Sequence, residues 1–528
     1  MKRIRRLGIL VMMAGSGILM TSCRQPGEKK ASDLPNILII LADDLGYGDV
    51  SCFNENSKVN TVHLDELASG GMIFTDAHTS SSVCTPTRYG ILTGRYNWRS
   101  RLKSSVLSGK SKALIPAERT TLASLLKEQG YHTAFIGKWH LGWDWAIMDP
   151  AHFNESDLNF GQFEEIDFTQ PISNGPGSLG FDYSYGHSGS LDMAPYVYVE
   201  NSRVTALPDR VTGNSDSYAF WREGPTGKDF IHEEVTPNFF SHAMDFIRQQ
   251  KEDKQPFFLY LALPSPHTPI LPTPRWQGKS RLNVYGDFVL MIDDYTGQLL
   301  EVLEESGMKE NTLVFFTSDN GCSPRANFEL LGNLGHDPSY VFRGHKADIF
   351  EGGHRVPFIA RWPSRIKAGA ICDQTICTTD FFRTLAGITG YTVEDDQGED
   401  SYDLTPLLQQ RPVEGSFREA TVHHSITGDF AIRKGDWKLI MCPGSGGWSF
   451  PTPGDVEAID TLPGVQLYNL EEDPGETTNL QGIHPEKVSE LKSLLTRYIQ
   501  KGRSTPGIPQ QNDSIDFEWN QISFINQK

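Results

Sequence analysis

The chain predicts an α/β domain on a parallel or mixed sheet, followed by a smaller α+β domain with an antiparallel sheet. Three observations carry that reading. Short apolar runs alternate with helix-patterned stretches through the first large region. Four of those runs end in small polar sets. From about Val413 the texture changes to a hairpin pattern and short strands.

Asn36-Ile37-Leu38-Ile39-Ile40-Leu41-Ala42 is apolar at consecutive positions, which predicts a strand buried on both faces. Residues 121–130 predict a helix stopped by Gly130, and 132–136 a second strand. Residues 236–250 predict a helix entered through a Thr cap with proline at its first position. A third strand follows at 256–263, a long amphipathic helix at 285–306 and a fourth strand at 312–317. In the smaller domain a hairpin over 429–440 turns at Lys434-Gly435-Asp436. A strand is expected at 464–470 and a helix at 485–501. The domain limits are read as 35–412 and 413–502. The polar tail 503–528 is assigned no structure.

Lys2-Arg3-Ile4-Arg5-Arg6 precedes an apolar run over 7–20 that is too short for a comfortable membrane span. It reads as an export signal. Leu19-Met20-Thr21-Ser22-Cys23 resembles a bacterial lipobox. The expectation is a signal peptide over 1–22, lipidation at Cys23 and a tether over 23–34. That places the protein in the bacterial cell envelope, in the periplasm or on the outer membrane, held to the membrane by lipid alone. Export permits disulfides. With Cys23 and Cys84 set aside, five cysteines remain; Cys372 and Cys377 could close a small loop, although their spacing does not demand it. No C-x-x-C pair occurs, which argues against a thiolate zinc site. The net charge of −18 argues against a nucleic-acid partner. An anionic substrate would have to be attracted by local cations, because bulk charge is screened beyond roughly 8 Å.

The polar sets at the strand ends are Asp43-Asp44, Lys138 with His140, His267, and Asp319-Asn320. Ligands of open α/β sheets bind outside the carboxyl ends of the strands, so these four sets are expected to converge. Asp43, Asp44, Asp319 and Asn320 are hard oxygen donors suited to a divalent cation, with Ca²⁺ preferred over Mg²⁺.

Cys84-Thr85-Pro86-Thr87-Arg88 reads C-x-P-x-R and is followed by Ile91-Leu92-Thr93-Gly94. Alone it fits an ordinary buried cysteine better than a nucleophile. Three further blocks stand beside it: residues 130–140 ending in Gly137-Lys138-Trp139-His140, Ser318-Asp319-Asn320-Gly321, and Lys346-Ala347-Asp348-Ile349-Phe350-Glu351-Gly352-Gly353. Together, over roughly residues 35–480, they resemble the type I, formylglycine-dependent sulfatases. Tyr285-Gly286-Asp287 is similar to the galactosamine-6-sulfatase branch.

The resemblance implies an alkaline-phosphatase-like large domain and a small C-terminal one. It implies that Cys84 is oxidised to formylglycine by a maturation enzyme and that residue 84 joins the metal. Arg88 would steady the resulting diol, Lys138 and Lys346 would grip sulfate, His140 would act as base and His267 as acid. His345, beside Lys346, is expected to support it. His187 and Asp192 lie in aromatic-rich stretches and are candidates for the sugar pocket, as are Asp348 and Arg355 near Lys346. The expected substrate is a sulfated oligosaccharide with 6-O-sulfated galactose or N-acetylgalactosamine at its end. A phosphonate or phosphoester hydrolase of the same superfamily, and a glycan-binding lipoprotein with an inactive site, stand as alternatives.

Overall fold

The computed structural model describes residues 34–513, apart from 155, 157, 158, 254 and 414. The signal segment, Cys23, residues 23–33 of the tether and the end of the tail lie outside the described residues.

Five parallel strands form the centre of a ten-stranded sheet: β1 (Asn36–Asp43), β2 (His132–Lys138), β3 (Tyr183–His187), β4 (Phe257–Pro266) and β5 (Thr312–Ser318). Their spatial order is β5-β1-β4-β2-β3. Short strands extend both edges, and Phe358–Arg361 runs antiparallel beside β5.

Side chains of a strand alternate between faces. Ile37, Ile39 and Leu41 of β1 join one core, with α2 (Cys84–Thr93), α3 (Leu122–Glu128) and α6 (Phe381–Thr389). Leu38, Ile40 and Ala42 join the other, with α1 (Val62–Ser69), α4 (Val235–Gln250) and α5 (Val284–Glu305). Fully burying one such aliphatic side chain contributes about 1.5–3 kcal/mol. A strand covered on both faces is therefore a rigid mount for whatever stands at its end.

The smaller sheet has the order β6 (Thr421–His424), β7 (Phe430–Lys434), β8 (Trp437–Ile440) and β9 (Gln466–Asn469), all antiparallel. One face packs on α7 (Pro485–Gln500) together with Tyr96 and Trp98 of the large domain. The other packs on Ile349 and Phe350. Its core is thus shared with the large domain, close to Lys346.

One expectation is corrected, and two points left open by the sequence are filled in. Helix α4 starts at Val235, after a 3-10 turn at His232–Glu234, so Pro237 is its third residue rather than its first. Residues 503–513 are placed against the large domain. The buried Arg503 donates to the carbonyls of Asp395 and Ile508, and Asp513 pairs with Arg95 at 2.9 Å. Polar composition hid this, because buried arginines supply partners the segment lacks. Cys372 and Cys377 are free thiols, like the other described cysteines.

Gly137 sets the approach of β2 to β4. Its φ is +126°, and a Cβ there would lie 1.8 Å from the Ala262 carbonyl oxygen. Gly137→Ala is expected to cost about 3 kcal/mol or more, read as a lower midpoint in thermal or urea unfolding.

Candidate active site

The strand ends deliver the site. β1 ends in Asp43 and β5 leads into Asp319 and Asn320. β2 ends in Lys138, two residues before His140, and β4 leads directly into His267. Asp44 (φ 67°), His140 (φ 52°) and Ala347 (φ 79°) turn the chain through the left-handed region. Such residues cost roughly 1–3 kcal/mol each and cluster where function over-determines the backbone.

Cys84 opens α2, so it stands among backbone N–H groups that have no partner within the helix. Arg88 lies one turn on, on the same face. Its Nη2 and Nε both reach Asp319 Oδ2, at 2.8 and 2.9 Å. The same guanidinium donates to the Lys138 carbonyl at 2.9 Å and the Leu263 carbonyl at 3.3 Å. One buried arginine thereby ties three strand ends to the cysteine's helix.

Two lysines complete the charge pattern. Lys138 Nζ lies 2.6 Å from Asp43 Oδ2, and Lys346 Nζ lies 2.7 Å from Asp44 Oδ1. Asn320 Nδ2 donates to Asp44 at 2.7 Å. Asp43 Oδ1 and Asn320 Oδ1 are buried with no hydrogen-bond partner. Ligand atoms of Asp43, Cys84 and Asp319 all lie within 4.8 Å of one another. The Cys84 Sγ stands where an oxygen of the converted residue would be. Orphaned oxygens converging with carboxylates fit a hard divalent cation.

Burial alone would raise the Asp43 carboxyl; Lys138, His267 and Arg88 override it and hold the group ionised. Burial and the nearby Asp43 charge push Asp319 up, a repulsion that a cation between them would relieve. Burial also pushes the Cys84 thiol up, against the pull of Lys138 and Lys346. An unmodified Cys84 is therefore a protonated thiol and a poor nucleophile.

The two histidines are set differently. His140 Nε2 lies 2.8 Å from the Leu107 carbonyl, which places the proton there, while Nδ1 is buried without a partner. Burial and Lys138 hold His140 well below the usual histidine range. It is a neutral base with a free lone pair. His267 bonds the Thr268 carbonyl through Nδ1, leaving Nε2 3.3 Å from Ser190 Oγ and 3.8 Å from Asp44. Burial and Lys346 lower it as well.

A cavity of about 360 Å³ opens over His267 and Lys346. Asp192 lines it and pairs with Arg222. The remaining candidates do not line this cavity. His187, opposite Lys138 in the strand register, stacks on Phe239 and its carbonyl accepts the Trp139 N–H. Asp348 accepts the N–H groups of Trp448 and Ser449, so it braces a loop. Arg355 faces Asp76 at 3.2 Å and Glu351 at 3.3 Å, in a buried cluster with Arg433 of the small sheet. His345 bonds the Lys346 carbonyl at 3.0 Å and Ser449 Oγ at 3.1 Å. Sequence reading missed Ser190, which bridges Lys138 and His267, and the cavity wall formed by Phe220, Arg222, Arg325 and Trp448. A lone serine in a glycine-rich loop carries no signal of its own.

Strand ends of a parallel sheet that gather carboxylates, lysines, histidines and a helix-opening cysteine define an ester hydrolase acting on a tetrahedral oxyanion. The family model described as Sulfatase matches residues 35–391, and the chain belongs to that family. It is 34% identical to the N-acetylgalactosamine-6-O-sulfatase of Bacteroides thetaiotaomicron, over 94% of this chain and 99% of that protein. It is 30% identical to the N-acetylgalactosamine-6-sulfatase of Canis lupus familiaris, over 94% and 91%. Human arylsulfatase A is 30% identical over 87% of each chain. A solved structure from Bacteroides thetaiotaomicron, titled for the metabolism of multiple glycosaminoglycans, superposes with a TM-score of 0.75 at 32% identity, covering 88% of this chain and 99% of that one. The protein is a sulfuric ester hydrolase, a type I sulfatase of the N-acetylgalactosamine-6-sulfatase kind.

The electrostatics fix the sign of a pH effect. In the free enzyme both imidazoles are neutral at pH 7. A sulfate ester bound in the cavity over His267 and Lys346 would bring negative charge to His267 and favour its imidazolium. Because kcat/KM follows the free enzyme and kcat the complex, the alkaline limb of kcat is expected at higher pH than that of kcat/KM. Superimposed limbs in steady-state pH profiles would remove His267 from the acid role.

Proposed function

We propose that the protein is an exported exo-sulfatase that removes 6-O-sulfate from galactose or N-acetylgalactosamine at the end of glycosaminoglycan or mucin-type glycans, using a formylglycine made from Cys84. The observation that carries the chemistry is the meeting of Cys84 with Asp43 and Asp319, beside Lys138 and Lys346. The 6-sulfated sugar is supported by the names of the relatives of similar length. Export and lipid anchoring are supported by residues 2–23, and a maturation enzyme by the C-x-P-x-R run.

Asp43, Asp44, Asp319 and Asn320 would hold a divalent cation, Ca²⁺ by preference, and when bound it would lower the pKa of a nearby hydroxyl and draw charge from sulfate. Hydrated formylglycine would offer one hydroxyl that, ionised beside the cation with its proton lost to solvent, attacks sulfur, and a second whose ionisation expels sulfate and restores the aldehyde. The other roles belong to residues as they stand. Lys138 and Lys346 meet the non-bridging sulfate oxygens, where charge accumulates in the transition state. Attack on sulfur breaks the bond to the sugar oxygen, and His267 Nε2 protonates that oxygen as it leaves. His140 Nδ1 then takes the proton of the second hydroxyl. Arg88, held by Asp319 and two carbonyls, keeps the helix and strand ends in register.

Cys84→Ala is expected to abolish turnover while the unfolding midpoint is retained; more than trace activity would refute the covalent route. His267→Ala is expected to slow sugar sulfates by about 100-fold or more, but aryl sulfates with good leaving groups by far less. Equal losses would contradict the acid assignment. Chelation is expected to remove activity, with Ca²⁺ restoring more of it than Mg²⁺. A panel of 6-, 4-, 3- and 2-sulfated galactose and N-acetylgalactosamine derivatives tests the sugar. Release from the 6-position is expected, and release confined to another position would overturn this part of the reading.

A further inference from the structure

Much of the wall of the catalytic cavity comes from residues outside the catalytic motifs. Phe220, Arg325 and Trp448 line it together with His267 and Lys346, which belong to the reaction centre. Arg325 and Arg222 flank the same Phe220 ring, at 5.5 and 5.6 Å from its centre. Arg222 is engaged by Asp192. Arg325 is exposed and has no acidic partner among the described residues, in a chain whose net charge is −18. An uncompensated guanidinium beside the reaction centre is a ready partner for a second anion.

Trp448 is 46% exposed, yet its loop is firmly held. The N–H groups of Trp448 and Ser449 donate to the buried Asp348 Oδ1 at 2.7 and 2.9 Å. Gly447 packs so tightly that a Cβ would come within 2.4 Å of the Ala347 carbonyl oxygen. An exposed indole on a braced loop offers a flat apolar face at little entropic cost on binding.

We propose that Trp448 and Arg325 form a second sugar subsite, outside the sulfate pocket, that takes an acidic sugar joined to the sulfated one. The ring of that neighbour lies against the indole and its negative group meets the Arg325 guanidinium. This rests on the sulfatase reading and deepens it, since it makes acidic oligosaccharides rather than monosaccharides the preferred substrates. The negative group is a carboxylate or a second sulfate.

The test compares kcat/KM on a chromogenic aryl sulfate, on N-acetylgalactosamine 6-sulfate alone, and on oligosaccharides whose neighbouring sugar is a uronic acid, a sulfated sugar or a neutral one. The wild-type enzyme is expected to prefer an anionic neighbour by about tenfold. Whether the uronate or the sulfated neighbour gains more identifies the anion. Arg325→Ala should erase that preference and leave the monosaccharide within twofold. Trp448→Phe should retain most of the oligosaccharide advantage, and Trp448→Ala should lose it. Equal rates on all sugars, or equal losses on monosaccharide and oligosaccharide, would overturn the subsite while the aryl sulfate shows that the sulfatase reading stands. If no sulfate ester is cleaved, that reading fails. Calorimetric titration of Cys84→Ala with the same sugars then decides the subsite through the Arg325→Ala difference.

Discussion

Asp43, Asp44 and Asp319 are carboxylates sealed from water at the ends of neighbouring strands. An isolated buried ion is penalised by several kcal/mol, so each must be met by an opposite charge at contact distance. Lys138, Lys346 and Arg88 meet them one to one. With all six groups ionised the lattice is neutral. A divalent cation would add two positive charges, which matches one sulfate ester anion and one ionised hydroxyl. The same charge balance makes the lattice depend on every member, because removing one partner of a buried pair costs about 3–5 kcal/mol.

The fold supplies the rigidity that this lattice requires. Each central strand is clamped between two apolar layers, and the helix that begins at Cys84 is pinned to the strand ends through Arg88. The small sheet acts at a second level. It packs on Ile349 and Phe350, close to Lys346, and its loop carries Trp448 into the cavity wall. The buried carboxylates, Lys138 and Cys84 thus sit on strand ends and a helix, while Phe220, Arg325 and Trp448 of the cavity wall come from loops and turns.

The central strands were legible in the sequence because burial on both faces leaves uninterrupted apolar runs, as in residues 36–42. The convergence of Asp43, Asp44, Lys138, His140, His267, Asp319 and Asn320 was legible for the related reason that each stands at or just beyond such a run. Short outer strands such as Met72–Phe74 and Ala370–Cys372 were not, since three residues carry no periodicity and the neighbouring strands decide their state. Arg355 was grouped with Lys346 by proximity along the chain, but the short helix Glu351–His354 intervenes and directs it to Asp76. Asp348 stands two residues from Lys346 and turns to the Trp448 loop. Arg325, Phe220 and Trp448 come from distant loops, and only tertiary packing brings them together.

The account depends on residue 84 being a thiol only before maturation. Mass spectrometry of the peptide spanning Cys84, taken from protein made in a host with the converting enzyme, tests this most directly. The account predicts the mass of an aldehyde at residue 84, in proportion to specific activity across preparations. A quantitative free thiol in a preparation that still turns over sulfate esters would contradict it.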